Sequence, residues 1–267
     1  MTTPAILLEA VTEVARAAGA VALRHFRTGV SVDTKGDGSP VTIADRRAEE
    51  TARAWIAARF PGDAVLGEEY GFSGDEGKRR WFIDPIDGTK TFVRGVPLWG
   101  TMVAVAEGDR VLAGAIFCPA ADELVAAAVG SGCWWNGARC RVSAVDSLER
   151  ATVLTTDDRF QYNPERAPLW RALAGRVAVS RTWGDCYGYV LVATGRAELM
   201  VDDRLNPWDV AALIPIISEA GGVYGDWSGA CSVYGTDGFA SNAALAPAFT
   251  EALGIVAPGT AGDGSDR

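Results

Sequence analysis

The sequence predicts an α+β protein whose two halves differ in style. An amphipathic helical pattern opens the chain, antiparallel strand signals fill its centre, and strand and helix signals alternate from about residue 150. At 267 residues the chain can bury a large core, as one big domain or two intimate ones. The change of style places a boundary near residue 145: an N-terminal α+β half over 1–145 and a C-terminal α/β half over 146–256. The small, polar segment 257–267 reads as a disordered tail.

The elements follow in order. Residues 4–27 keep Ile6, Leu7, Ala10, Val11, Val14, Ala18, Val21 and Ala22 on one helical face. "DTKGDGSP" (33–40) reads as a loop, after which Thr42 caps a second helix to about Phe60. "AVLG" and "RWFID" are short strands that end at acidic residues. The runs 99–106 and 111–118 flank "EGDR" as a hairpin, and "DELVAAAVGSGCWWNGARCRV" continues it with a turn at Asn136-Gly137. In the second half, "ATVLTT", "RVAVS", "AELMVD", "GVYGDW" and "GFAS" read as strands. Helices are expected over 165–174, 185–195, from Pro207 to about Ala220, and over 243–253.

Composition narrows the function. The chain is 48% hydrophobic and 22% charged, with a net charge of −9. That argues against a general nucleic-acid or anionic-membrane binder, which needs a basic face. A phosphorylated substrate stays open, because a bound cation reverses the local sign. The five cysteines, at 118, 133, 140, 186 and 231, are odd in number and include no C-x-x-C pair, and the start lacks the pattern of a leader, which together favour a reducing cytoplasm. No apolar run reaches the length of a membrane span.

Four acidic sites carry the candidate chemistry: Asp45 in "VTIAD", Glu68 and Glu69 in "GEE", Asp84 and Asp87 in "DPIDGT", and Asp209 in "NPWDVAA". Pro85 turns the chain, so that both carboxylates of Asp84 and Asp87 can point at one centre with the Ile86 carbonyl between them. Hard oxygen donors of this kind suit Mg²⁺, which keeps waters or phosphate oxygens in its shell. Gly88 and Thr89 would open the next helix, and their free amides could hold a phosphate at the same centre. Negative charge is then crowded there to hold a divalent metal against a phosphoryl group.

"GEE", "DPIDGT" and "WDVAA…EAGG", in this order and at this separation, resemble the inositol-monophosphatase superfamily of Mg²⁺-dependent, lithium-sensitive phosphatases, over about residues 5–253. The resemblance implies a layered αβαβα sandwich of the inositol-monophosphatase/fructose-1,6-bisphosphatase type. It implies Glu68, Asp84, the Ile86 carbonyl, Asp87 and Asp209 as ligands of two or three Mg²⁺ ions, with Mn²⁺ as a substitute. Thr89 and Glu68 would align the attacking water, the Gly88 and Thr89 amides would hold phosphate, and Asp45 would hydrogen-bond Thr89 or the metal waters. Hydrolysis would be direct, without a phosphoenzyme. A homodimer acting on a small phosphorylated metabolite is the family expectation.

Within that superfamily, "DGTKTFVRGVPLWGT" and "WGDCYGYVLVATGRAELMVDDRLNPWDVAAL" resemble the bacterial histidinol-phosphate phosphatase subgroup more than the inositol enzymes. Histidinol phosphate carries a cationic amine. Asp185 and Asp202 could pair with it, Arg181 joins the candidate substrate set, and Trp183, Tyr187 or Tyr189 could pack on the imidazole. Inositol-1-phosphate or broad sugar-phosphate hydrolysis is the alternative substrate reading, and a non-catalytic cation- or metabolite-binding relative the alternative class.

Plainer readings stand beside these. Asp45 and Asp209 are also first-turn acids that a helix dipole favours, Asp185 is also an N-cap candidate, and Glu69 lies either behind the site or on the surface. His25, the sole histidine, reads as a structural residue of the first helix. "CWWNGAR" fits the C-x5-R pattern of cysteine phosphatases, but two tryptophans cannot line a tight phosphate loop and no helix follows its Asn-Gly turn. The D-x-x-D spacing also departs from the D-x-D of haloacid-dehalogenase phosphatases.

Overall fold

The computed structural model describes residues 2–257 except 35, 37–39, 76 and 78. The expected tail from Pro258 onward lies outside the described residues. Helix α1 (Pro4–Leu23) starts on Thr3, whose hydroxyl accepts the Ile6 amide, and α2 (Ile43–Arg59) starts on Thr42. Helix α1 ends four residues earlier than its apolar pattern suggests, so His25 sits in the turn that follows. The segment 33–40, expected as a loop, carries parts of a small ribbon in which β1 (Val32–Thr34) pairs with β2 (Pro40–Thr42).

The chain between Ala64 and Arg139 builds an eight-stranded sheet. Its members are β3 (Ala64–Gly67), β4 (Gly71–Ser73), β5 (Arg80–Asp87), β6 (Gly100–Glu107), β7 (Arg110–Cys118), β8 (Glu123–Ala128), β9 (Gly132–Trp135) and β10 (Ala138–Arg139), in the order β10-β9-β8-β7-β6-β5-β3-β4. Only the β3–β5 pair is parallel. Asn136 and Gly137, both at positive φ, make the expected tight turn between β9 and β10. The short helix α3 (Thr89–Val93) leaves the end of β5.

A second sheet follows, in the order β12-β11-β13-β15-β14, from β11 (Thr152–Thr155), β12 (Val179–Arg181), β13 (Leu199–Asp202), β14 (Gly222–Gly225) and β15 (Gly238–Asn242). Helices α4 (Ala167–Ala174), α5 (Asp185–Ala193), α6 (Pro207–Val210), α7 (Leu213–Glu219) and α8 (Ala246–Leu253) complete the fold. The helix expected from Pro207 to Ala220 is two helices, broken at Ala211–Ala212. Pro215 has no amide to donate to the Ala211 carbonyl, so a continuous helix would lose that bond.

Alternation along the strands sorts the core into layers. Trp81, Ile83, Val103, Val105 and Ala115 face α1 and α2, while Phe82, Met102, Ala104 and Ile116 face α5 and α7. Leu154, Met200 and Ala240 cover the other side of α5 and α7. Val153, Leu199 and Val201 face outward under Trp170 of α4 and Phe249 of α8. The molecule is therefore an α+β fold layered αβαβα. Both sheets meet the same buried helical layer, and the acidic residues lie at its edge.

Candidate active site

The site begins with an irregularity in β5. In a regular strand, Asp84 and Asp87 would point to opposite faces, being an odd number of residues apart. Here Asp84 is opposite Met102 and Asp87 is opposite Gly100, so β5 spends one residue more than β6 over this stretch. Pro85 lies in the bulge, where its missing amide costs no ladder bond. Its carbonyl accepts the Thr101 hydroxyl at 2.8 Å, and Asp84 Oδ1 accepts the Ile86 amide at 2.9 Å. The extra residue turns Asp87 onto the face of Asp84, toward the central helices.

Asp209 meets them from that side. Asn206 caps α6, Pro207 takes its first position, and the Asn206 amide donates to Asp209 Oδ2 at 2.8 Å. Asp84, Asp87 and Asp209 each offer an oxygen, and these lie within 4.8 Å of one another. Asp84 is 3% exposed.

Thr89 and Asp45 do not make the hydrogen bond to each other that the sequence suggests as one possibility. The Thr89 hydroxyl donates to the Ile86 carbonyl at 3.0 Å. Asp45 Oδ2 is taken by the Thr42 amide and hydroxyl, at 2.8 and 2.7 Å, in a capping box, while its buried Oδ1 has no hydrogen bond. Asp45 is thus a first-turn acid with one oxygen still to place. Gly88 has φ +84°, and a Cβ there would lie 2.9 Å from Asp185 Oδ2, so glycine is required twice over.

Asp185 begins α5; its N-cap is Gly184, so the reading of Asp185 as a cap does not hold. It sits at φ +51°, a strained setting for a residue with a side chain. The Thr156 hydroxyl accepts its amide at 2.8 Å, and the Thr91 hydroxyl donates to its carboxylate at 3.1 Å. The next amide, of Cys186, donates to Asp87 Oδ2. A pocket of about 80 Å³ is lined by Asp87, Asp185, Asp202, Asp209, Tyr189 and Arg204. It adjoins a cleft of about 380 Å³ that Glu68, Lys90, Asp157, Tyr162 and Asn206 reach, with Thr156, Asp202 and Arg204 common to both.

A family model described as the inositol monophosphatase family matches residues 5–256. The chain belongs to the inositol monophosphatase family. A histidinol-phosphatase from Chlorobaculum parvum is 42% identical over 249 residues, 92% of this chain and 96% of that protein. A histidinol-phosphatase from Mycobacterium tuberculosis is 36% identical over 228 residues, 84% of this chain and 88% of that protein. A solved IMPase from Thermotoga maritima superposes with a TM-score of 0.84 at 30% identity, covering 92% of this chain and 96% of that one. The chain is a phosphatase of this family, with its layered fold.

The electrostatics of this inositol-monophosphatase-family site suit a cation. Burial raises Asp84 and Asp87 well above the usual carboxylate range, and the neighbouring charges push the same way. Burial lifts Asp209 to about 6, with the Glu68 charge pushing the same way and the Asn206 amide opposing it. Glu68 stands close enough for its charge to raise Asp84, Asp209 and Asp45. Crowded, buried carboxylates stay ionised only beside positive charge. An all-oxygen donor set with a buried, unsatisfied Asp45 oxygen beside it fits a hard divalent ion and its waters.

Not every expected substrate residue reaches this cleft. Asp202 does, buried at the end of β13, and burial raises it well above the ordinary range. Tyr189 lines the pocket. Arg181 does not line it: it ends the edge strand β12, exposed, with its guanidinium on the Ser180 carbonyl. Trp183 is exposed, and the Tyr187 hydroxyl donates to Glu123 instead. Sequence reasoning missed Lys90, Thr156 and Arg204. Lys90 directly follows "DGT" and Arg204 follows Asp202-Asp203, the one signal available for either.

Proposed function

We propose that this phosphatase is a Mg²⁺-dependent histidinol-phosphate phosphatase. The observation that carries the reading is the acidic wall of the pocket, where Asp185 and Asp202 stand beside the carboxylates of Asp87 and Asp209. A phosphate monoester whose alcohol is neutral gains nothing from two further acids in the pocket wall. An amine on the leaving group would restore their charge and pair with them. The names of the two curated relatives point to the same substrate.

The site residues divide the work. Asp84, Asp87, Asp209, Glu68 and the Ile86 carbonyl would hold divalent cations, which supply charge neutralisation for the phosphoryl group and acidify water. The Thr89 hydroxyl donates its hydrogen bond to the Ile86 carbonyl, so its oxygen is left to accept a hydrogen bond that orients the attacking water. Glu68 would take the one proton that this water loses as it attacks. The amides of Gly88 and Thr89 start a helix and have no intrahelical partner, so they face the phosphate. Lys90 and Arg204, both in the cleft, add positive charge for its oxygens.

The test is phosphate release from a panel of histidinol phosphate, inositol-1-phosphate, fructose-1,6-bisphosphate and adenosine 3′,5′-bisphosphate, with and without Mg²⁺. The proposal expects histidinol phosphate to have the highest kcat/KM, and only with the cation. A preference for inositol-1-phosphate would refute the substrate assignment. Background release from every compound with Mg²⁺ present would favour a non-catalytic binding role.

A further inference from the structure

Behind Glu68 lies a carboxylate that the cleft does not use. Glu49, on α2, is fully buried. Its Oε2 accepts the Glu69 amide at 2.7 Å, and its Oε1 accepts the Tyr70 amide at 3.3 Å. Arg53, one helical turn on, donates to Glu49 Oε1 at 2.8 Å, and its other two nitrogens donate to Ser73 Oγ and the Gly71 carbonyl. Gly67 makes room for this: a Cβ there would lie 2.1 Å from Glu49 Oε1.

A tight hairpin closes without any buried ion pair, and burying one is expensive unless each group is fully bonded. Here Glu49 binds Arg53 and the two amides of the turn that follows Glu68, and Arg53 binds β4 just beyond that turn. The Glu68 amide donates to the Ile83 carbonyl of β5 at 3.1 Å, so its backbone is held from two sides. We infer that Glu49, braced by Arg53, is a positioning residue that fixes the β3–β4 turn so that the Glu68 carboxylate stays in the cleft beside Asp84 and Asp209. The inference rests on the reading of Glu68 as a cation-holding group and adds the residue through which α2 controls it.

The test is calorimetric titration of Mn²⁺ into metal-stripped full-length protein, for wild type, E49Q, E68Q and the double variant. Glu49→Gln keeps the side chain's shape but replaces one acceptor oxygen with a donor. E49Q should weaken Mn²⁺ binding about tenfold and lower kcat by a similar factor, with KM for the substrate little changed. In the E68Q background it should add no further loss of Mn²⁺ affinity. Equal weakening in both backgrounds would overturn the inference, because the effect would then not run through Glu68. Unchanged affinity in E49Q would overturn it as well. If E49Q does not fold, Arg53→Lys keeps the charge and loses the fork, and the same dependence on background is expected. Wild-type protein that takes up no Mn²⁺ would remove the cation reading itself, which separates the two failures.

Discussion

At the scale of single residues, the site depends on charge that the fold alone does not stabilise. Asp87 is held by the Cys186 amide and pressed by Asp185 and Asp209. Asp87→Asn should lower kcat by several powers of ten, at least ~4 kcal/mol of transition-state stabilisation, measured as phosphate release at saturating Mg²⁺. A variant that kept most of its activity would defeat the assignment of Asp87. Asp185→Ser separates chemistry from specificity. It should lower turnover of histidinol phosphate far more than that of a neutral-alcohol phosphate, and equal losses would refute the amine-pairing role while leaving the chemistry intact. Arg181 shows the limit of reading at this scale. It lies close to Asp185 in the chain, but it ends an edge strand and its side chain turns to its own backbone.

At the scale of elements, helix starts and one strand bulge aim the acids. Asp45 and Asp209 occupy the same position in two capping boxes, each with Oδ2 engaged by the cap. Asn206→Ala removes a donor to Asp209. It should cost about 1 kcal/mol of stability in denaturant unfolding. Because the Asp209 carboxylate loses one of its fixed bonds, Mg²⁺ activation should also shift to higher concentration. Unchanged activation would show that the cap supports only the helix. The acids, the Thr42 cap and the hairpins were legible because each rests on local spacing. The bulge was not, since Pro85 in the sequence signals a turn, and only the pairing of β5 with β6 shows which face Asp87 takes. The break at Ala211–Ala212 was missed although Pro215 was in plain view, because the apolar pattern continues across it. Lys90, Thr156 and Arg204 come from three separate segments, and no local pattern marks them as neighbours.

At the scale of the molecule, two sheets and a shared helical layer bring those segments to one cleft, and the accumulated acid couples stability to pH. Asp45, Asp185 and Asp209 are raised from 3.8 to about 6 by burial. Each is protonated in the native state where the unfolded chain is already ionised. Their contribution to stability is full below about pH 4 and is lost as pH rises through about 6. A divalent cation needs the ionised forms, so its stabilising effect runs the other way. The rise in Tm on adding Mg²⁺ should therefore be larger at pH 7.5 than at pH 5, measured by thermal unfolding of metal-stripped protein. An equal rise at both values would show that the cation binds away from these acids. No helix among the described residues is long and apolar enough to cross a membrane. The central claim is that Asp84, Asp87 and Asp209 serve one cation centre. It is tested most directly by anomalous diffraction from crystals soaked in Mn²⁺. The account predicts a peak within bonding distance of an oxygen from each of the three. Peaks only elsewhere, or none at all, would contradict it.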